Sequence, residues 1–481
     1  MSGYGRPFEA KGRTVSRNQQ VVTEPWIGKS RKARLRFMRD TLKTRMRFVI
    51  YPVLGVALIG VPGFGENVPT FRGNPQHSGI YDAAGVPALT GVKWTFHGAG
   101  RFISSPTVDG STIYIGSTAG LLYAIDRESG SEKWKFSAKS RIASTPAAAG
   151  GMVYFGAYDG NFYAVDAETG QLKWKFATEG ERRFAGTHLH GSQPAKELMP
   201  DPFDCYLSSP VVWEGAVYFG SGDGNIYALD AATGTLKWKF KTGDVVHASP
   251  AIAYGKVYIG SWDSYFYALD AASGKEFWKY KTGEDQEIHN QVGIQSSAAV
   301  VDGVVYFGCR DAHLYALDAK TGEKRWAFGT KGSWVIASPA VRDGRVYFAT
   351  SDSGLVYGLD AKSGDVAFSL NLQRWPSFSS PAVAGDMLYE GSNSGQLNAV
   401  DLMNRKVAWT FATDASKRNG PAYTKPDGSP NYEAAFDSDF YDDMMAGYSR
   451  MMMVGPILSS PVVVDKVVYF GGTDGNLYAL M

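Results

Sequence analysis

Short apolar runs separated by glycine-rich turns fill the chain from residue 91 to residue 481, and the pattern repeats. The clearest unit is Ala216 to Phe240, AVYFGSGDGNIYALDAATGTLKWKF, which returns as Lys256 to Tyr280, KVYIGSWDSYFYALDAASGKEFWKY. VYFGS and IYALD have the β-branched and aromatic content of strands, and the Gly-Asp-Gly between them is hairpin-turn chemistry. A second turn, Ala-Ala-Thr-Gly, leads to the strand that carries Trp238. Ahead of each unit lies a fourth strand opening on Ser-Pro, as in Ser249-Pro250-Ala251-Ile252. Each repeat therefore predicts four antiparallel strands in roughly forty residues, the content of one propeller blade.

Spacing sets the count. The opening proline recurs at Pro106, Pro146, Pro210, Pro250, Pro339, Pro381 and Pro461, with Ala298 in its place once. The closing aromatic recurs at Trp134, Trp174, Trp238, Trp278, Trp326, Phe368 and Trp409, 28 residues on in six blades and 29 in the one ending at Phe368. The blade opening at Pro461 would need its closing tryptophan at 489, beyond Met481. An unattached closing strand, Val92 to Phe96 with Trp94, stands twelve residues before Pro106. The expectation is an all-β, eight-bladed propeller whose ring is closed by this N-terminal strand, leaving no exposed edge.

YALDAxTGxxxW, as in Tyr227 to Trp238, resembles the tryptophan-docking repeat of the pyrroloquinoline-quinone (PQQ) propellers. That superfamily includes quinoprotein alcohol dehydrogenases and BamB-type outer-membrane assembly lipoproteins. The resemblance covers residues 91–481 and implies docking roles for Trp94, Trp134, Trp174, Trp238, Trp278, Trp326 and Trp409. It speaks to fold more than to activity, because unrelated functions share one fold.

Charge divides the chain. Residues 1–45 carry 12 Lys+Arg against 3 Asp+Glu, while the remainder carries 37 against 44. A mildly acidic body argues against nucleic acid as a partner. Residues 46–65 read as a signal peptide or a membrane anchor: Phe48 to Gly65 is an uncharged, mostly apolar run of 18 residues behind Arg45 and Arg47. Both readings place the rest in the periplasm or cell envelope. The basic residues 1–45 are either a disordered cytosolic tail or lie upstream of a true start at Met46. Residues 66–90 are a strap or linker, in which Phe71 packs and Arg72 is hydrogen-bonded. No cysteine lies at the end of the apolar run, although BamB-type proteins are lipid-anchored through one. Cys205 and Cys309 permit one disulfide.

Insertions fall only between a closing aromatic and the next opening proline. That interval is 12 or 13 residues in five cases, but 36 before Pro210, 20 before Ala298 and 52 before Pro461. All three therefore extend one face, where long loops on a rigid scaffold carry function. In the first, His188 and His190 in an extended segment would lie on one side, a spacing that suits a metal pair, though without a third ligand. The second offers Asp285, Glu287, His289 and Asn290. The third reads as an acidic loop, Asp437 to Asp443, whose methionines pack onto the propeller. Arg101, Arg141, His247, Gln295 and Trp334 precede opening prolines and should ring the channel mouth, where they are candidates for an anion-and-ring site.

Two functions follow. One is a non-enzymatic envelope propeller without a cofactor, a scaffold or protein-binding platform within an envelope or membrane protein complex. The other is a periplasmic PQQ-dependent dehydrogenase. The resemblance implies for it a planar tricarboxylate cofactor over a Trp, Ca²⁺ held by Glu and Asn, an Asp base and a vicinal disulfide. Cys205 and Cys309 are far apart in sequence, and no catalytic residue transfers by position.

Overall fold

The computed structural model describes residues 69–283, 293–372 and 374–481. The chain divides between Gly63 and Phe64, and everything described belongs to the second unit, Phe64–Met481. The apolar run at 48–65 and the loop residues Asp285, Glu287, His289 and Asn290 lie outside the described residues. Among the described residues no helix is long and apolar enough to cross a membrane.

Eight four-stranded antiparallel blades form the propeller. Blade 3, for example, comprises Val211–Trp213, Ala216–Gly220, Asn225–Asp230 and Leu236–Lys241. Its innermost strand starts directly after Pro210, which has no N–H to give a ladder. Blade 8 is completed from the other end of the sequence. Val92–His97 pairs with Asn476–Leu480, Trp94 opposite Ala479 and His97 opposite Asn476. Thr90 and Gly91 donate their N–H groups to the Met481 carbonyl, and Met481 N–H returns to Gly91 O. The expected closure is therefore present.

Seven of the eight seams between blades carry a hydrogen bond from a closing tryptophan. Trp238 Nε1 donates to Ala271 O of the next blade at 2.9 Å, and Tyr218 OH shares that carbonyl at 3.0 Å. A Cβ on Gly274 would lie 2.7 Å from the Trp238 ring, and the φ of 73° there also favours glycine. Trp94, Trp134, Trp174, Trp278 and Trp326 make the corresponding bonds to Arg127, Ala167, Ala231, Ala319 and Ala361 carbonyls. Trp409 instead meets Val86 O at 2.8 Å, so the segment entering blade 8 supplies the missing carbonyl. A one-residue bulge precedes each closing aromatic, as between Leu236 and Trp238, and such a bulge re-aims the side chain that follows. Where Phe368 replaces tryptophan, Arg405 with φ 53° takes the place of the glycine facing it.

A ring of hydrogen bonds encircles the channel. The backbone N–H of Ser105 donates to Thr145 Oγ1, and the relay continues through Ser209, Ser249, Ser297, Ser338, Ser380 and Ser460 back to Ser105, at 2.8–3.2 Å. The side chain before each opening proline thus ties its blade to the one before it.

The strap, residues 69–81, crosses one end of this channel. Carbonyls of Pro69, Pro75, Gln76, Ser78 and Gly79 accept from Ala148, Ile252, Val300, Val341 and Val383 on five innermost strands. Ile80–Tyr81 then adds a parallel strand to Ala382–Ala384 of blade 7. Arg72 is buried and donates from Nη2 to Pro339 O at 3.0 Å, as the strap reading expects.

Candidate functional site

The opposite end is covered by the first and third insertions, which join. Gln193 N–H donates to Asp439 O, Tyr441 N–H to Gln193 O, and Tyr441 OH to Pro200 O at 2.6 Å. The acidic stretch read as a loop, Asp437 to Asp443, is a loop through Phe440 and turns helical at Tyr441. Helix α1, Asp414–Tyr423, is capped by Thr413, whose side chain accepts from Ser416 N–H at 3.1 Å. Helix α2, Tyr441–Met451, carries Asp442 and Asp443 in its first turn. Carboxylates there complement the helix dipole, which accounts for that run of acids. Of the methionines, Met444 is buried and Met451 and Met452 line a cleft, whereas Met453 is exposed.

Three buried ion pairs, centred on Arg310 and His247, pin the first insertion into the channel mouth. Asp201 meets Arg310 at 2.8 Å, both fully buried. Arg310 is sandwiched between Trp262 and Trp334, its guanidinium carbon 4.6 and 4.0 Å from their ring centroids. Burial opposes ionisation of Asp201, but the guanidinium and His190 outweigh it and hold the carboxyl well below its usual range. His247 bridges two carboxylates, Asp204 at 2.6 Å and Glu181 at 2.8 Å. Burial would lower its pKa; the two carboxylates raise it to about 10. His247 is therefore an imidazolium at neutral pH, already neutralised by its own chain.

The candidate mouth residues thus separate. His247 and Gln295 line a narrow cavity of about 40 Å³ inside the serine ring, which Phe71 of the strap closes from the other side. Gln295 Nε2 donates to Phe203 O at 2.8 Å. Trp334 lines a much larger cleft. Arg141 lies over the Tyr158 ring at 4.0 Å, and Arg101 is exposed. His188 and His190 are not on an extended segment: both have left-handed backbone, φ 54° and 55°, around a 3₁₀ turn. His188 Nδ1 lies 3.2 Å from Ser192 O, and His190 Nε2 lies 3.6 Å from Asp201. Among the described residues no three His, Cys, Asp or Glu are arranged to hold a metal ion. Cys205 and Cys309 are free thiols, so no disulfide joins them. Burial pushes the Cys205 thiol up to about 12, with the Asp204 charge adding to the shift.

The large cleft has a volume of about 790 Å³. One wall is the first insertion, with His188, His190, Phe203 and Cys205; another is the third, with Phe436, Met444, Tyr448 and Met452. The propeller contributes Trp334, Trp375, Phe378 and the hairpin-turn residues Ser351, Asp352 and Asn393. Phe203 stands edge-on to Trp334, Phe378 and Tyr448, with centroids 4.7–5.9 Å apart. Tyr206 OH reaches both Phe378 O and Leu458 O, at 3.3 and 3.0 Å, and ties the insertion to two blades.

Such an eight-bladed propeller with an enlarged, self-tied face defines a class before it defines a function. The family model described as outer membrane protein assembly factor BamB matches residues 84–201 and 206–411, most of the propeller, and the chain belongs to that family. BamB from Moraxella catarrhalis superposes with a TM-score of 0.61 at 16% identity, covering 82% of this chain and 100% of that one. A europium-containing methanol dehydrogenase gives 0.60 at 15%, covering 86% and 98%. Quinohemoprotein alcohol dehydrogenase from Comamonas testosteroni gives 0.62 at 14%, covering 86% and 80%. At these identities the structures establish the fold alone. No curated protein sequence matches the chain.

Proposed function

We propose that this chain is a non-enzymatic propeller of the cell envelope, exported across the inner membrane, that serves a membrane-protein assembly complex as a scaffold. The observation that carries this reading is the occupation of the channel mouth by the chain's own charges. A tricarboxylate such as PQQ needs cations at its site. His247 is spent on Asp204 and Glu181, Arg310 on Asp201, and the described cleft lining contains neither Lys nor Arg. The residues present do not fit that cofactor.

The joined insertions offer partners an irregular surface instead. Leu198 and Phe440 stand out on it, 70% and 57% exposed on adjoining segments. Leu198→Glu with Phe440→Glu should leave thermal unfolding unchanged and remove the chain from the membrane-protein assembly complex it purifies with. Retention of the complex by the folded double variant would count against this surface.

The dehydrogenase alternative has its own test. A ligand bound only by the folded state at a hundredfold excess over Kd stabilises by about 2.7 kcal/mol. Saturable stabilisation by PQQ with Ca²⁺, together with alcohol-dependent dye reduction, would replace the scaffold reading. Export is tested separately by fusing residues 46–70 to a reporter that works only outside the cytoplasm; a stable but inactive fusion would refute it.

A further inference from the structure

The cleft between the insertions has the size of a small-molecule site, within the usual range of several hundred to about 1,000 Å³. Its lining also selects charge. Besides Trp375, six rings of Phe, Tyr or Trp face or flank it: Phe203, Trp334, Phe378, Tyr432, Phe436 and Tyr448. They form a connected set, Phe436 standing edge-on to Tyr448 at 5.1 Å and Tyr448 edge-on to Phe203 at 4.7 Å. Ring faces carry negative quadrupole density, so a cation is attracted to such a wall.

One carboxylate completes the arrangement. Asp352 is exposed, accepts from Ser351 Oγ at 2.6 Å and from Trp334 N–H at 3.2 Å, and has no ion-pair partner among the described residues. Its charge is felt at Tyr432 of the facing insertion, where it adds to burial in raising the hydroxyl pKa to about 12. The other ionisable groups of the described lining are the imidazoles of His188 and His190, the thiol of Cys205 and the two tyrosines. Arg310 stands behind Trp334 and is committed to Asp201, so it covers one face of that ring without offering a free positive charge.

The walls are preorganised. Phe203 is held by its N–H to Asp201 Oδ1 at 2.8 Å and by its carbonyl to Gln295. Trp375 is buried and donates from Nε1 to Gly428 O at 2.9 Å. A ligand therefore need not order the cleft before binding.

We propose that this cleft binds a lipophilic organic cation, an aryl or alkyl ammonium type of molecule, with its charge at Asp352 and its apolar groups among the rings and methionines. The site is separate from the exposed Leu198 and Phe440 surface and does not depend on the assembly role.

Tetraphenylphosphonium and tetraphenylborate test it, since they share a shape and differ in the sign of their charge. Titration calorimetry on the whole protein at pH 8 and low salt should show one phosphonium site, with tetraphenylborate at least about tenfold weaker. Asp352→Asn should weaken the phosphonium at least about fivefold while leaving borate binding no weaker. Tyr432→Leu, at a half-exposed position, should weaken it as well. Equal or tighter binding of the borate to the unaltered protein would overturn the proposal without reference to any variant. So would phosphonium affinity unchanged in a folded Asp352→Asn protein.

Discussion

His77 and His247 are both buried beside the central channel, and their surroundings push them in opposite directions. His77 lies on the strap, edge-on to Phe71 at 5.4 Å, with no hydrogen-bond partner on either ring nitrogen. Burial, reinforced by the neighbouring Arg72, lowers its pKa to about 3. His247 lies under the insertions between two carboxylates and is raised to about 10. One end of the channel is thus closed by backbone hydrogen bonds around a neutral ring, the other by ion pairs around a charged one. The strap end has the chemistry of a fixed plug. The looped end is an electrostatic latch, and the segments it holds are those that build the cleft and the candidate partner surface.

The largest effect should come from breaking the latch. Replacing His247 by Leu leaves Asp204 and Glu181 buried or nearly so without their cation, and removing one partner of a buried pair costs about 3–5 kcal/mol. Urea unfolding at pH 7 should show that loss. Adding Asp204→Asn and Glu181→Gln should recover part of it, because the uncompensated charges are then gone. A His247→Leu protein as stable as its parent would mean that the bridge contributes nothing.

The pH dependence should separate the two ends. His247 has a folded pKa above the unfolded value of about 6.5, so its contribution is fully present below that value. It is lost as pH rises through about 10, the folded pKa. His77 has a folded pKa below the unfolded one, so the unfolded state takes up the proton first as pH falls. Stability then declines from about 6.5 and continues to decline until about 3, where folded His77 protonates. Thermal melts across this range should show an alkaline limb that is shallower in His247→Leu and an acid limb that survives in it.

The blades, their number, the closure through Trp94 and the strap were legible because each rests on a local, repeated pattern of strand, turn and aromatic. The latch was not. Asp201 and Asp204 lie in the first insertion, but their partners Arg310 and His247 come from other blades. Arg310 occupies a hairpin-turn position where blade 3 has Gly222, and Trp262 and Tyr158 occupy the same position in blades 4 and 2. Three large side chains at a turn position that Thr118, Gly222, Ser351, Asn393 and Thr473 fill in the other blades were the available signal, since those turns emerge on the insertion face. The helices of the third insertion were hidden by their own acids, which resemble a solvated loop until the first-turn positions of Asp442 and Asp443 are known. His188 and His190 failed as an extended pair because left-handed backbone breaks the alternation on which that reading relied.

The smallest expected effect isolates the strap. At His77, φ is 56°, a region that histidine enters more readily than a branched apolar residue. Replacing it by Leu adds backbone strain of up to about 1 kcal/mol, the free-energy equivalent of a several-fold preference. The same change removes two buried ring nitrogens that lack partners, a relief of comparable size. These terms oppose each other, so stability at pH 7 should change by no more than about 1 kcal/mol. The acid limb is a different matter, because it depends on a proton that only a histidine can accept. In His77→Leu the decline between about pH 6.5 and 3 should shrink while the alkaline limb stays in place. An acid limb of unchanged depth would assign the acid sensitivity to the carboxylates of the latch and remove the contrast between the two ends.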